Sequence, residues 1–307
     1  MEMEKTTAEN FRAGYVAIIG EPNVGKSTLM NGLLEQKISI VTSKPQTTRH
    51  KILGILTQRD YQIVFLDTPG LLIPKYLLHE AMMEFARSAI EDADIVLFMI
   101  DARDPKADAS VDRNAAFRAL KDLTKPVSLI INKVDLVDKK NLLPVIDFYS
   151  KKYPFKEIFP ISALKRDGLS DLLGSIVTQL PLHPPYYPDD AVSDQSERFF
   201  VAEIVREKIF EKFREEIPYS TTVEIVEFRE AEGKKDFISA EVYVERDSQK
   251  QIVIGRGGAA LKEIGQSARE DIEAFLERPV FLELHVKVRE KWRNSEAWLR
   301  RLGYRSS

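Results

Sequence analysis

The sequence predicts an α/β chain, a mostly parallel sheet with helices on both faces, followed by a smaller α+β unit. Three observations carry this. Short apolar runs alternate with stretches of helical spacing through the first half. A glycine-rich loop, Gly20-Glu21-Pro22-Asn23-Val24-Gly25-Lys26-Ser27, stands between one such run and one such stretch. After a proline-rich joint, Pro181–Asp190, the order becomes helix, strand, strand, helix, helix, strand.

In the first half the strand candidates are Val16–Ile19, Ile52–Leu56, Ile63–Leu66, Ile95–Ile100, Val127–Ile131 and Ile158–Ile161. The helical candidates are Lys26–Leu34, Leu77–Glu91, Val111–Lys121, Leu142–Lys152 and Leu169–Gln179. Such alternation builds parallel sheets, whose ligands bind at the C-terminal ends of the strands. The domain limits read from the pattern are 1–185 for the first unit, 186–198 for a stiff extended linker, and 199–307 for the second.

The chemistry appears at those strand ends. The loop from Gly20 to Ser27 reads G-x-x-x-x-G-K-[ST], a phosphate-binding (P-loop) motif, with a strand before it and a helix after it. Its glycines let successive N–H groups turn toward one anion, and the helix start at Lys26 adds its positive dipole end. Gly20, Glu21, Pro22, Asn23, Val24, Gly25, Lys26, Ser27 and Thr28 are the candidate phosphate-binding residues. Lys26 is expected on the β- and γ-phosphates, and Ser27 on Mg²⁺. After the third strand comes Asp67-Thr68-Pro69-Gly70-Leu71. Asp67 suits Mg²⁺ through water, and the Gly70 N–H suits a γ-phosphate. Asn132-Lys133-Val134-Asp135 follows the fifth strand. The Asp135 carboxylate only accepts, so it matches the paired donors of guanine and selects GTP over ATP. Asn132 is expected to tie this loop to the phosphate loop, and the Lys133 stem to lie along the base. The backbone of Ser162-Ala163-Leu164 can donate to the guanine O6.

Between the first helix and second strand, Thr42–His50 holds Gln46-Thr47-Thr48-Arg49. Nucleotide switches place a threonine there on Mg²⁺; Thr48 is favoured over Thr47. Leu72–Lys75 is the second switch candidate. Lys26, Thr48, Gly70 and Asn23 form the expected catalytic set, and Ser27, Thr48 and Asp67 the expected metal ligands. Leu71 stands where some GTPases carry a water-orienting glutamine, which leucine cannot replace. Hydrolysis is therefore expected to be slow. Asn23 either ligates a K⁺ ion that supplies the missing positive charge or only braces the loop.

In the second half Phe199–Glu216 is an amphipathic helix whose stripe is Val201, Ile204, Val205, Ile209, Phe210 and Phe213. Thr221–Phe228 and Phe237–Val244 alternate as a hairpin turned at Ala231–Lys234, the first strand less cleanly. A short helix reaches Gly255, a longer one runs from near Gly258 to Glu277, and Val280–Val288 is a final strand. Between the helices lies Ile254-Gly255-Arg256-Gly257-Gly258, with Lys262 beyond. A G-x-x-G loop of this kind clamps the nucleic-acid backbone in KH modules, with single-stranded RNA the expected target. Near the C-terminus, Lys287, Arg289, Lys291, Arg293, Arg300, Arg301 and Arg305 surround Trp292 and Trp298. Either this is an RNA or membrane footprint, or the tryptophans pack on the domain.

Composition removes other classes. The chain has 307 residues, net charge −3 and no cysteine, which excludes disulfide scaffolds and thiolate metal sites and fits a reducing cytoplasm. The four histidines are scattered, so a His-based zinc site is not expected. Met1 to Asn10 lack the pattern of a signal peptide, and no apolar run approaches the roughly 20 residues of a membrane span.

With Gly20–Ser27, Gln46–His50, Asp67–Gly70, Asn132–Asp135, Ser162–Leu164, Ser193–Phe200, Pro218–Ile225, Ile254–Gly265 and Val286–Gly303, the chain resembles the Era-like TRAFAC GTPase family over nearly its whole length. The resemblance implies a P-loop GTPase domain followed by a type II KH domain. It further implies GTP/GDP and Mg²⁺ as ligands and assembly of the small (30S) ribosomal subunit. The KH domain would then bind near the 3′ end of 16S rRNA. The expected state is a cytoplasmic monomer with some peripheral contact at the inner face of the cell membrane. Ala260 stands where a family member carries another lysine. The alternative is a nucleotide-sensing RNA- or membrane-binding adaptor with little intrinsic hydrolysis.

Overall fold

The computed structural model describes residues 10–103, 114–121, 123–231 and 233–305. It divides into two units: residues through Asp194 form the first, and Gln195 onward forms the second. Two short segments from the first half, Ile40–Thr47 and Tyr76–Leu78, group with the second unit.

The first unit is built on a six-stranded sheet in the order β2-β3-β1-β4-β5-β6. Its strands are β1 (Arg12–Gly20), β2 (Ile52–Thr57), β3 (Tyr61–Asp67), β4 (Ile95–Asp101), β5 (Val127–Asn132) and β6 (Ile158–Pro160). All neighbours are parallel except the edge strand β2, which runs antiparallel to β3. Near-continuous apolar runs make this possible: β4 and β5 are buried along their length, as strands covered on both faces must be. Pairing registers set Ile18 beside Asp67, Gly20 beside Met99 and Asp101 beside Asn132. The motif-bearing ends of β1, β3, β4 and β5 therefore share one edge.

The helices of this unit are α1 (Lys26–Leu34), α2 (Leu77–Asp92), α3 (Ala115–Arg118), α4 (Leu142–Lys152) and α5 (Leu169–Gln179). The helix expected at Val111–Lys121 is only four residues long, capped by Asn114, whose Oδ1 accepts from the Ala116 N–H at 2.8 Å. Val111–Arg113 lie outside the described residues, as do Met1–Glu9 and Glu232 of the expected turn. The proline-rich joint lies on the first unit. Gln62 Oε1 accepts from the Tyr186 and Tyr187 N–H groups at 2.7 and 3.0 Å, and the Ile55 N–H donates to the Val192 carbonyl at 3.0 Å.

The second unit runs α6 (Glu197–Lys212), α7 (Ile217–Ser220), β7 (Thr222–Arg229), β8 (Asp236–Val244), α8 (Asp247–Ile254), α9 (Ala259–Leu276), β9 (Val280–Val288) and α10 (Glu296–Arg301). Its sheet is β7-β8-β9, with β7 antiparallel and β9 parallel to β8. A parallel partner requires a crossover, which α8 and α9 supply. Val201, Val205 and Ile209 from α6 meet Ile238, Ala240 and Val242 from β8 and Ile264, Ala268 and Ile272 from α9 in one core.

Two expectations are corrected. The helix expected to reach Glu216 stops at Lys212, because Phe213 is extended (φ −98°, ψ 158°) and packs against that core. The uneven alternation of β7 is a bulge between Ile225 and Glu227, which turns Val226 outward.

The basic tail is part of the domain. Trp292 is fully buried, and its Nε1–H donates to the Ser220 carbonyl at 2.8 Å. Trp298 packs edge-on to Tyr243 at 5.0 Å between ring centres, flanked by Arg289 and Arg301 at 5.3 and 4.8 Å. Lys287, Arg293, Arg301 and Arg305 pair with Glu241, Glu245, Glu224 and Glu296. The packing alternative describes these tryptophans. No helix among the described residues is long and apolar enough to cross a membrane.

Trp292→Phe keeps an aromatic ring, though a smaller one, and removes the donor, leaving the Ser220 carbonyl without that bond in the interior. The expected cost is about 2 kcal/mol. Urea unfolding followed by the fluorescence of Trp298 measures it; an unchanged midpoint would contradict the packing described.

Candidate nucleotide site and nucleic-acid groove

The turn from β1 into α1 is fixed by its backbone. Gly25 sits at φ +105°, and a Cβ there would lie 2.3 Å from the Asn132 side-chain nitrogen, so only glycine fits. α1 has no side-chain cap and no acidic residue in its first turn, so its N–H groups remain directed at the loop. The Lys26 ammonium is buried and bends back over the loop, donating to the Glu21 carbonyl at 2.9 Å and the Gly20 carbonyl at 3.4 Å. Burial pushes its pKa down to about 8, against the opposing pull of Asp67 and Glu21.

Below the loop lies a hydroxyl–carboxylate cluster. Asp67 Oδ2 accepts from Ser27 Oγ at 2.6 Å and Ser39 Oγ at 2.7 Å, with Thr48 Oγ1 at 3.4 Å. Ser27 Oγ and Thr48 Oγ1 are 2.8 Å apart. Thr47 is turned into its own loop, where its Oγ1 meets Thr42 Oγ1 at 2.7 Å and the Lys44 carbonyl at 2.8 Å. Burial raises the Asp67 pKa, while hydrogen bonds from Ser27, Ser39 and Thr48 and the Lys26 charge oppose the rise. Its second oxygen, Oδ1, is buried with no hydrogen-bond partner among the described residues. One buried carboxylate and two hydroxyls suit Mg²⁺, which takes few protein ligands and completes its shell with phosphates and water. No cluster of three or more His, Cys, Asp or Glu side chains competes for a metal among the described residues.

Asn132 bridges the loops: its Nδ2 donates to the Val24 carbonyl at 2.8 Å and its Oδ1 accepts from the Ala163 N–H at 2.9 Å. Lys133, at φ +65°, donates to the Asn23 carbonyl at 2.7 Å and pairs with Asp101 at 2.8 Å. Burial would raise the Asp101 pKa, but hydrogen bonds from Arg103 and Lys133 bring it down to about 2. Asp135 is held below the usual carboxylate range by a hydrogen bond from Ser162, with Lys165 3.7 Å away. The Ser162 N–H donates to the Asp167 carbonyl at 3.1 Å. Thus two of the three backbone donors expected for the base are already engaged, and Leu164 stands exposed beside them. The Thr68 hydroxyl donates to the Ile18 carbonyl at 2.8 Å, and the Leu71 N–H to the Gly20 carbonyl at 3.0 Å. These bonds pin the Asp67–Leu71 segment, including Pro69 and Gly70, to the end of β1.

In the second unit, α8 ends at Ile254 and the chain turns through Gly255 at φ +75°, where a Cβ would meet the Ala260 nitrogen at 2.8 Å. Arg256, Gly257 and Gly258 form a single 3-10 turn, and α9 begins with no side-chain cap. Beside it opens a groove of about 630 Å³ lined by Gly258, Lys262, Lys235, Arg269 and Phe281 among others. Phe281 is 55% exposed and stacks on Phe237 with ring centres 5.9 Å apart.

Residues 15–133 match the family model of 50S ribosome-binding GTPases, and residues 216–293 match the KH domain. The GTPase Era of Geobacter metallireducens is 48% identical over 295 residues, covering 96% of this chain and 98% of the relative. The chain belongs to the Era family of GTPases. Two solved structures agree, each 44% identical and covering 96% of this chain and 99% of the other. A variant of Aquifex aeolicus Era bound to GDP·AlF4⁻ superposes with a TM-score of 0.89. Era in complex with MgGDPNP and nucleotides 1506–1542 of 16S ribosomal RNA gives 0.90.

Sequence motifs missed several members of these sites. Ser39 touches the central carboxylate yet carries no motif signal; Asn31 of α1 places it, accepting the Ser39 N–H at 2.9 Å. Lys235, Arg269 and Phe281 become groove residues only once β8, α9 and β9 are assembled.

Proposed function

We propose that the chain is a GTP-driven switch that binds single-stranded RNA near the 3′ end of 16S rRNA and assists small-subunit assembly. The first unit binds and hydrolyses GTP; the KH domain grips the RNA. The carrying observation is that the phosphate loop, the Ser27–Thr48–Asp67 cluster and the Asn132–Asp135 loop converge on one sheet edge. The relative solved with MgGDPNP and 16S RNA together supports GTP as the RNA-holding state.

Lys26 and the N–H groups of α1 bind the β- and γ-phosphates. Ser27, Thr48 and Asp67 would hold Mg²⁺, which would supply positive charge against the phosphate oxygens. Asp135 accepts from both guanine donors and excludes adenine, while Asn132 keeps its loop fixed to Val24. The Gly70 N–H would meet the γ-phosphate. Leu71 is buried and cannot orient water, so intrinsic turnover is slow. Asn23 lies exposed in the loop at φ +65°, open to a K⁺ ion beside the phosphates. In the KH domain, Gly255–Gly258 lets the RNA backbone approach, Arg256 and Lys262 meet phosphates, and Phe281 offers a ring for base stacking. The protein acts as a cytoplasmic monomer. The ion-paired tail favours an internal structural role over membrane contact.

Turnover in K⁺ is expected to exceed that in Na⁺ severalfold; equal rates would remove the role given to Asn23. Titration with a short RNA of the 16S 3′ end tests the KH assignment. Arg256→Ala with Lys262→Ala is expected to weaken binding at least tenfold at fixed salt and to flatten its salt dependence. Unchanged affinity and slope would contradict it.

A further inference from the structure

Helix α6 buries more charge than a core helix needs. Glu203, Arg206 and Glu207 are 7%, 1% and 1% exposed. Burying such groups is costly unless they are paired and bonded. Glu207 and Arg206 have partners on the segment Ile40–Thr47. Glu207 Oε1 accepts the Val41 N–H at 2.9 Å, and Arg206 Nη2 donates to the Thr47 carbonyl at 2.6 Å. Arg206 is itself held by Glu203, whose Oε1 accepts its Nε–H at 2.7 Å, and lies over the Phe210 ring at 5.1 Å. In return Lys44 donates to the Phe210 carbonyl at the end of α6. The segment is thus fastened at its start, middle and end. Most of these bonds involve its backbone, so they fix its path rather than its composition.

The last fastened atom, the Thr47 carbonyl, adjoins Thr48, whose Oγ1 lies 2.8 Å from Ser27 Oγ. We propose that Glu207, Arg206 and Lys44 form a clasp that positions Thr48 for the Mg²⁺ of bound GTP, making them positioning residues for hydrolysis. This rests on the nucleotide reading above. It adds that residues of the KH-bearing half set the preference for GTP over GDP. Because Thr48 is the residue expected to sense the γ-phosphate-bound ion, a slackened clasp lowers GTP affinity while sparing GDP. The clasp acts through one side chain, so its effect vanishes when that side chain is gone.

The test measures equilibrium affinity of the full chain for GDP and for guanosine 5′-[β,γ-imido]triphosphate with Mg²⁺. Glu207→Ala is expected to weaken the triphosphate analogue about tenfold and GDP less than twofold. Glu207→Gln, which keeps an acceptor for the Val41 N–H, is expected to restore wild-type affinity. In a Thr48→Ala background, Glu207→Ala is expected to add no further loss. Lys44→Ala leaves no buried charge unpaired and provides the same readout should Glu207→Ala fail to fold. An unchanged affinity ratio in folded Glu207→Ala and Lys44→Ala would overturn the clasp alone. So would equal losses for both nucleotides, or a full loss persisting without Thr48. Wild-type chain unable to bind the analogue would overturn the nucleotide reading, and the clasp with it.

Discussion

The structure depends on a buried carboxylate. Asp67 sits at the end of β3 with no water-facing surface; burial pushes its pKa up, while hydrogen bonds from Ser27, Ser39 and Thr48 and the Lys26 charge oppose the rise. Ser27 reaches it from the phosphate loop, Ser39 from the segment after α1, and Lys26 lends its field from the side. Such a site is expensive in an empty interior and favourable around a divalent cation. Under the proposed function, that asymmetry would make nucleotide binding with its metal an organising event for the loops that contribute hydroxyls, above all the one carrying Thr48.

The sheet explains why these groups meet. Parallel strands with aligned C-terminal ends put residues far apart in sequence at one edge: Gly20, Asp67, Asp101 and Asn132 are neighbours through register. Asn132 joins the Val24 carbonyl of the phosphate loop to the Ala163 N–H, so the Asn132–Asp135 and Ser162–Leu164 loops and the phosphate loop share one support. In the KH domain the same economy appears differently. An uncapped helix start, a glycine turn and a groove walled by basic and apolar side chains are left open together beside α9.

Much of the fold was legible because its strands are continuous apolar runs, each followed by a motif with a chemical reason for its residue types. The six strands of the first unit and helices α1, α4 and α5 lie where periodicity put them. What periodicity could not show were breaks without a breaker. Phe213 continues the apolar stripe of α6 while leaving the helix, and Val226 continues an alternation that a bulge has shifted. Arg206 and Glu207 occupy positions a stripe assigns to solvent, yet they are buried against a segment more than 150 positions away. Partnerships of that range leave no local trace. Ser39 is silent in sequence for another reason: its role arises only where Asn31 turns it toward Asp67.

The central claim is that the ion site around Asp67 and Thr48 governs RNA binding by the KH domain. Affinity for an RNA of the 16S 3′ end, measured at one salt concentration with the imido analogue and with GDP, tests it most directly. The account predicts at least tenfold tighter binding with the triphosphate analogue, and loss of that difference in Thr48→Ala. Equal affinity in both nucleotide states of the wild-type chain would contradict it.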